Sequence, residues 1–372
     1  MYGSFKTLLG NGNSLEIDFM STAIDVNDNP QSPSYPALSY LSPANAIMPG
    51  TGGSPFAVPV LWLGRALGSA FPSPIAPREI ETDRFSIGLS GDFDNGFDWD
   101  AHYTVSSEDF YGQQPDTSTS KFSAAIKGNG GNSGNQTWDL FTPTNNSADL
   151  IKWISTNQQT WTETELAVFD FVVTGQWGGM DIASGFQYRD ETFNVARGAS
   201  SIAQFDASGN ITVPADLLFL GGGLESNASR DAMAIFVEGS MNPSDKLEVN
   251  GALRYEDLET DSSINPKISF RYQATDKLAL RASFSTSFRE ASLAQLTSTT
   301  IGLQGIQDYN ADGSPKGGTT FIRIAQANNP NLNPEESDNM NIGAMWKPTD
   351  RLSMKLDYWA IDYTAVITIE SD

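Results

Sequence analysis

The sequence has no cysteine and a single histidine, His102, among its 372 residues. Disulfide bonds and thiolate metal sites are therefore excluded, and so is a zinc centre built from several histidines. No apolar run reaches the roughly 18–20 residues that a membrane-spanning helix needs. The residues after Met1 also lack the apolar segment of a signal peptide. If this protein meets a membrane, we expect it to cross with strands.

Charged residues are scarce and mostly acidic. They make up 18% of the chain and leave a net charge of −23. No basic surface is available to replace the counterions of nucleic acid, so nucleic-acid binding is excluded as a function. The negative charge is typical of large, exposed, soluble loops; the alternative is a field that attracts cationic ligands. Aromatic residues reach 11%, which favours strands over helices.

Residues 264–289 show the pattern that organises the chain. Ile268 and Phe270 alternate with Lys267 and Arg271, and the alternation resumes after a short turn at 274–277. A period of two places one set on each face of a sheet, and arms of about ten residues suit tilted strands that cross a bilayer. The same pattern predicts strands at 15–20, 84–93, 97–105, 164–175, 180–189, 232–241, 247–255, 340–346 and 352–358, a further short strand at 121–127, and a short helix at 148–155. There are about eleven strand candidates in all.

The connections between strands alternate in length. Turns of two to five residues join the arms of each hairpin, and nearly every link between hairpins is long. Strict alternation places all the short turns at one end of the sheet, as in outer-membrane barrels with short periplasmic turns and long extracellular loops. The aromatic residues near the strand ends match the interface girdles of such barrels. The predicted long loops are 26–83, 107–162, 190–229 and 290–337.

Several segments in the second half of the chain resemble those of one protein family, the TonB-dependent receptors. Residues 287–291 (SFREA) resemble a strand end that reads FRxP in the family, with Glu290 and Ala291 where a proline is usual. Residues 329–337 (NPNLNPEES) and 357–363 (DYWAIDY) resemble two segments that follow it. Residues 179–189 and 254–257 resemble two earlier strands. The order and spacing agree across 175–367.

The resemblance implies an all-β, antiparallel transmembrane barrel of the 22-stranded type in the bacterial outer membrane. An N-terminal plug domain closes such a barrel, and a TonB box precedes the plug. We therefore expect residues 1–372 to form a partial barrel, with the plug and the final strands absent and the chain truncated at both ends. The implied function is active uptake of a scarce solute: a siderophore, a vitamin or a glycan. The implied partners are TonB, through the missing plug region, the plug in the lumen, outer-membrane lipid and the small solute; no cofactor is implied.

Two sets of residues are candidates for contact with the plug or the solute. The alternation predicts a polar lining of the lumen, whose charges solvate the lumen and pair with the plug rather than touch the solute. Aromatic residues in the loops could stack on a glycan or a siderophore, but burial within the loops is the alternative. The lumen candidates are Arg189, Glu238, Arg254, Glu256, Lys267, Arg271 and Arg281, and the aromatic candidates are Trp153, Trp161, Tyr309 and Phe321.

A short acidic segment resembles the start of a calcium loop. Asp308, Asn310 and Asp312 precede a glycine in the order D-x-N-x-D-G, in which three oxygen side chains converge. Thr319 stands where the pattern requires a bidentate Glu, so the match is incomplete. Ordinary turns rich in Asp and Asn are the alternative.

Two other functions stay open at this point. One is a passive, porin-like channel, and the other is a soluble β-rich carbohydrate-binding or hydrolase domain. The sequence contains neither a nucleophile elbow nor a phosphate-binding loop, and it predicts that the protein is not an enzyme.

Overall fold

The computed structural model describes residues 1–31, 66–68, 70–140, 142–258 and 261–369. Twelve strands pair in the order of the sequence and form one antiparallel sheet, and two small hairpins, β7 with β8 and β13 with β14, lie outside it. The strands are β1 (Tyr2–Gly10), β2 (Asn13–Val26), β3 (Arg78–Asp92), β4 (Phe97–Thr117), β5 (Ser155–Trp177), β6 (Met180–Arg197), β7 (Gln204–Phe205), β8 (Ile211–Val213), β9 (Ser226–Ser244), β10 (Leu247–Leu258), β11 (Asp261–Thr275), β12 (Leu278–Arg289), β13 (Thr300–Ile306), β14 (Thr320–Gln326), β15 (Glu335–Thr349) and β16 (Leu352–Thr364).

The pairing register carries the two-residue alternation from strand to strand. Phe270 of β11 lies opposite Val249 of β10 and Ala282 of β12, so all three share one side of the sheet. We call this side the outward side and the opposite side the inward side. Leu280 and Leu356 also lie on the outward side. The prediction that the apolar residues share one face of a continuous sheet is confirmed.

The outward apolar side chains are exposed. Phe270, Leu280 and Leu356 are 41%, 42% and 76% exposed, so nothing in the described part of the chain covers them. A soluble sandwich would bury such residues beneath a second layer of strands. A wide exposed apolar face requires another solvent or partner to cover it. Lipid meets that requirement for a sheet of this kind.

Within the twelve-stranded sheet, all but one of the short connections lie at one end, the turn end, and the long connections lie at the other, the loop end. The turn between β5 and β6 consists of Gly178 and Gly179 alone, with φ angles of 59° and 81°. Two successive positive φ values suit a two-residue hairpin, and glycine adopts them without steric cost. The link between β10 and β11 is the one short connection at the loop end among the described strands.

Several details differ from the sequence-based predictions, among them the small hairpins of β7 with β8 and of β13 with β14, which lie within the predicted loops 190–229 and 290–337. Strand β1 was not predicted, because apolar Leu8 and Leu9 are adjacent and break the alternation. Residues 121–127 do not form a strand: helix α1 (Thr119–Ile126) occupies this segment, capped by the Ser118 side chain. The strands also extend further than predicted, so the loops shorten to 27–77, 118–154, 198–225 and 290–334. The extra strand residues are mostly polar, and the few apolar ones, such as Phe110, Trp161 and Phe193, do not recur at every second position, so the alternation signal is lost.

Helix α1 forms because its apolar residues find a partner. Phe122, Ala125 and Ile126 recur at helical spacing and are buried. They pack with Trp138 and with residues of helix α2 (Ala148–Ile154), the short helix that the sequence predicts. A third helix, α3 (Leu293–Thr297), begins with a capping box between Ser292 and Gln295. The buried cluster comprises Ala66, Phe122, Ala125, Ile126, Trp138, Leu150 and Ile154.

We expect the Phe122→Ala substitution to loosen the loop between β4 and β5 without unfolding the sheet. Phe122 is 1% exposed and contacts Trp138 edge-on at 6.1 Å between ring centroids. Truncating a buried Phe costs about 3–5 kcal/mol. Amide hydrogen exchange should therefore accelerate over 118–154 and stay slow in the strands. Tyr309→Ala, at a side chain that is 58% exposed, is the control; equal acceleration in both variants would contradict the account.

Among the described residues, none of the helices has the length and apolar character to span a bilayer.

Candidate functional site

The loops turn onto the inward side of the sheet. Asp116 lies near the loop end of β4, and alternation places it on the same side as the polar Asp100 and His102. Its carboxylate accepts hydrogen bonds from the backbone N–H groups of Phe219 and Leu220, at 2.9 and 2.7 Å. A side chain reaches only the side of the sheet from which it projects. The segment around Phe219 therefore lies over the inward side of the sheet.

Other inward side chains at the loop end make similar contacts. Gln158 of β5 donates to the carbonyl of Gly221 at 2.5 Å. Arg197 of β6 donates from Nε to the carbonyl of Leu224 at 3.0 Å. Ser226 of β9 donates to the hydroxyl of Thr297 at 2.7 Å. Two loop segments, 216–225 and 290–299, thus fold inward, and we call them together the inner rim.

The hairpin of β13 and β14 holds the inner rim from its other side. Arg323 of β14 donates from Nη1 to the carbonyl of Leu220 at 2.7 Å, and from Nη2 to those of Leu217 and Leu218 at 3.2 Å. Burial lowers the pKa of Arg323, and the Asp116 carboxylate opposes that shift. Asp116 binds N–H groups and Arg323 binds C=O groups of one four-residue segment. The backbone polar groups of this buried segment are satisfied in that way.

The inner rim passes very close to β13 at Gly221. A Cβ atom built on Gly221 would lie 1.5 Å from the backbone carbonyl oxygen of Ile301. No real Cβ atom approaches a backbone oxygen that closely, so any side chain here requires the two loops to separate. Glycine is needed at this position because the chains touch, not because of its φ angle.

We therefore expect Gly221→Ala to detach the hairpin of β13 and β14 from the inner rim. Limited proteolysis should then cut at 307–319 faster than in the parent protein, because the hairpin loses its support. Gly302→Ala is the matched control, since a Cβ at Gly302 meets nothing within 4 Å. Unchanged cleavage of the Gly221→Ala variant would show that the contact does not hold the hairpin.

Beneath the inner rim lies a group of paired charges on the inward wall. Glu256 of β10 is 2% exposed and accepts hydrogen bonds from Arg189 of β6 and Arg254 of β10, the latter at 2.8 Å. Arg254 also donates to Gln187 at 2.9 Å. Burying a carboxylate is costly unless cations and hydrogen-bond donors of this kind pair with it. We call this group the arginine–glutamate cluster; it also includes Arg230, Glu191 and Glu290.

Arg230 of β9 extends the cluster to the inner rim. It contacts Glu191 of β6 at 2.6 Å and Glu290 at 3.3 Å, and it donates to the carbonyl of Ala291 at 2.5 Å. Burial raises the pKa of Glu290, and the positive charges of Arg230 and Arg189 oppose the shift. Sequence analysis missed Arg230, Glu191 and Glu290. Only the register, which places Arg230 opposite Glu191, brings these charges together.

The seven predicted lumen residues all lie on the inward side of the sheet. Arg189, Arg254 and Glu256 meet in the cluster, as described above. Arg281 pairs with Asp357 of β16 at 2.6 Å, and Arg271 donates to its neighbour Gln273 at 3.1 Å. The remaining two, Glu238 and Lys267, occupy the inward side of β9 and β11. That these residues line a lumen stays a prediction.

The aromatic candidates are spread over different parts of the molecule. Trp153 is half-buried in α2 and packs against the buried cluster around Phe122 and Trp138. Nζ of Lys121 lies 5.8 Å from the centre of its ring. Trp161 lies on the outward side of β5, stacked on Tyr111 at 5.2 Å. Tyr309 is 58% exposed in the tip between β13 and β14. The side chain of Phe321 lies outside the described part of the structure. The structure does not bring Trp153, Trp161 and Tyr309 together.

The segment that resembles a calcium loop forms ordinary turns in this structure. Asp312 accepts from the N–H and the hydroxyl of Ser314, at 2.9 and 2.6 Å, and these hydrogen bonds lower the pKa of Asp312. Asp308 pairs with Lys316 at 3.2 Å, and Asn310 donates to Ser314 at 3.0 Å.

The calcium site stays a prediction. A rise in melting temperature with calcium, lost in Asp312→Asn, would support it, and unchanged melting would remove it.

Comparison with solved structures identifies similar folds. The siderophore receptor PirA from Acinetobacter baumannii has a TM-score of 0.55 at 14% identity, with 97% of this chain and 42% of that chain covered. FpvA of P. aeruginosa, bound to heterologous pyoverdines, has a TM-score of 0.50 at 15% identity, with 97% and 41% covered. The RagAB peptide transporter has a TM-score of 0.50 at 12% identity, with 97% and 39% covered. The chain thus spans about two fifths of the length of these proteins.

Comparison with curated proteins finds no match. A family model described as "TonB dependent receptor-like, beta-barrel" matches residues 22–372. The match covers most of the chain, and it agrees with the continuous antiparallel sheet and its exposed apolar side. The chain therefore belongs to the TonB-dependent receptor-like β-barrel family, whose members are barrels of the outer membrane.

Proposed function

We propose that this chain forms part of the wall and mouth of a receptor that takes up a scarce solute across the bacterial outer membrane, with energy supplied through TonB. The solute class is a siderophore, a vitamin or a glycan. Within this proposal, the plug domain and the remaining strands come from sequence outside residues 1–372, and the plug carries the contact to TonB. The observation that carries the proposal is the inward fold of the inner rim.

The inner rim favours gated uptake over an open pore. Five inward side chains at the loop end, on β4, β5, β6 and β9, bind the rim through hydrogen bonds or ion pairs. A passive channel needs a wide aqueous mouth, whereas an uptake receptor must hold its solute until the plug moves. Loops that fold over the inward side narrow the mouth, which suits the receptor.

The arginine–glutamate cluster fits a wall that faces a plug. Its charges neutralise one another, and Glu256 is almost fully buried. We propose that the more exposed inward charges, among them Lys267 and Arg271, pair with the plug or solvate the lumen.

The chain is proposed to act as a transporter and not as an enzyme. The soluble carbohydrate-binding alternative does not fit the family or the exposed apolar side.

Energy dependence separates the receptor from the passive channel. The full-length protein would be produced in cells that lack their own receptors, and uptake of iron-loaded siderophores, of cobalamin and of labelled oligosaccharides would be measured. We expect uptake of one of these to stop when the proton gradient is collapsed or TonB is deleted. Uptake that continues in both cases, and that rises linearly with concentration, would support a passive channel instead.

A further inference from the structure

We propose that a groove on the outward side of the sheet, at the loop end of β5, β6 and β9, binds an uncharged sugar ring. The groove has a volume of about 470 Å³, within the range of roughly 300–1,000 Å³ for small-molecule sites. The groove borders the inner rim at Glu225, but it opens on the outward side, and its proposed ligand is independent of the proposed uptake function. The outward residues Trp161, Glu163, Asn194, Ala196 and Asn227 line it, together with Glu225 of the inner rim.

The register places these side chains in two adjacent rows. Glu163 of β5 lies opposite Asn194 of β6, which lies opposite Asn227 of β9. In the next row towards the loop end, Trp161 lies opposite Ala196. The small Ala196 leaves space beside the indole, and that space is the floor of the groove.

The groove lies beyond the part of the sheet that faces lipid. On β5, Phe169 is the last large outward aromatic residue of the apolar band, and the outward residues Glu165 and Glu163 follow it towards the loop end. Trp161 is about eight residues beyond Phe169, or roughly 26 Å along the strand. A lipid tail therefore does not reach the groove. Water and surface glycans meet it instead.

Trp161 presents a prepared aromatic surface to the groove. One face of its indole stacks on Tyr111 at 5.2 Å between ring centroids and an angle of 27°. The Tyr111 hydroxyl donates to Gln113 at 3.0 Å and accepts from Gln159 at 3.2 Å, which fixes the ring. Tyr111 does not line the groove, so the other face of the indole borders it. A rigid, half-exposed aromatic face suits the C–H face of a pyranose ring.

The polar lining matches the hydroxyl groups of a sugar and excludes an anion. The amides of Asn194 and Asn227 both donate and accept, and the carboxylates of Glu163 and Glu225 accept. The Glu163 carboxylate disfavours phosphate and uronate groups by like-charge repulsion, whereas Glu225 already accepts from the backbone N–H of Arg197 at 3.2 Å. The nearby outward residue Glu165 adds to the negative potential. An uncharged hexose ring is therefore the ligand that fits the groove.

Saturation-transfer NMR on the full-length receptor in phosphatidylcholine nanodiscs tests the site without sugar-based detergent. The probes are methyl glucopyranoside, methyl galactopyranoside and glucuronate. We expect transfer to at least one methyl glycoside and a signal about tenfold smaller in Trp161→Ala. Ala196→Leu, which fills the floor of the groove, should have the same effect. Trp177→Ala, at a tryptophan that is 67% exposed at the turn end, should keep the signal.

The outcomes are decisive in both directions. Transfer that is lost in Trp161→Ala and Ala196→Leu but kept in Trp177→Ala supports the site. Absence of transfer to both methyl glycosides, transfer that survives in either groove variant, or transfer that is also lost in Trp177→Ala overturns it. Equal transfer to glucuronate overturns the preference for an uncharged ring. Energy-coupled uptake is measured separately, so failure here leaves the proposed function standing.

Discussion

The Ile268→Arg substitution is expected to lower the free energy of unfolding in a bilayer by about 2 to 4 kcal/mol. Ile268 lies in the middle of β11 on the outward side, opposite Gly251 and Phe284, and is 43% exposed. A guanidinium at that depth must lose its hydration or drag water and headgroups into the bilayer. That cost falls near the membrane surface.

The neighbouring residue provides the matched control. Ser269 is on the inward side of the same strand, opposite Asn250 and Ser283. Ser269→Arg should cost well under 1 kcal/mol, since the new charge stays in water. Denaturant unfolding of the full-length receptor in lipid vesicles measures both. Equal costs for the two substitutions, or a larger cost for Ser269→Arg, would contradict the assignment of the two sides.

The double substitution Arg189→Ala and Arg254→Ala is expected to destabilise the wall by about 3 kcal/mol. Both arginines donate to Glu256, whose carboxylate is 2% exposed. Removing both leaves a buried charge without a cation. We place the effect at the low end of the range for broken buried pairs because the two arginines are themselves about one third exposed.

Adding Glu256→Gln to that double variant should recover most of the loss. The neutral amide no longer needs a cation, so the triple variant removes the unpaired charge rather than the packing. Lys267→Ala, at an exposed lysine of the same side, should change the unfolding free energy by less than about 0.5 kcal/mol. If the triple variant is no more stable than the double variant, the unpaired charge is not the cause of the loss.

The sheet could be predicted from the sequence because lipid and water impose opposite demands on neighbouring residues. Ile268, Phe270 and Leu280 alternate with Lys267 and Arg281. Each apolar residue suits lipid, and each charged neighbour suits water. The alternation therefore identified the strands, their faces and the position of the short turns. The family segment at 329–337 runs into the start of β15, and the segment at 357–363 lies in β16.

The loop end could not be predicted in the same way. Beyond the bilayer, both sides of a strand meet water, so polar residues such as Glu163 and Thr164 follow one another and the alternation signal ends. Helix α1 depends on burial against Trp138 and Ile154, which lie far along the chain. Tertiary packing of this kind overrides local propensity. The contact of Arg323 with Leu220 likewise joins two loops that no local pattern links.

The assignment of the outward side to lipid is tested most directly by a single-cysteine scan along β11. The protein has no cysteine of its own, so a spin label can be attached at each position from 267 to 272 in turn. The account predicts that dissolved oxygen reaches the labels at Ile268, Phe270 and Tyr272 best, and that a water-soluble nickel chelate reaches those at Lys267, Ser269 and Arg271 best. Loss of this two-residue alternation, or its reversal, would contradict the account.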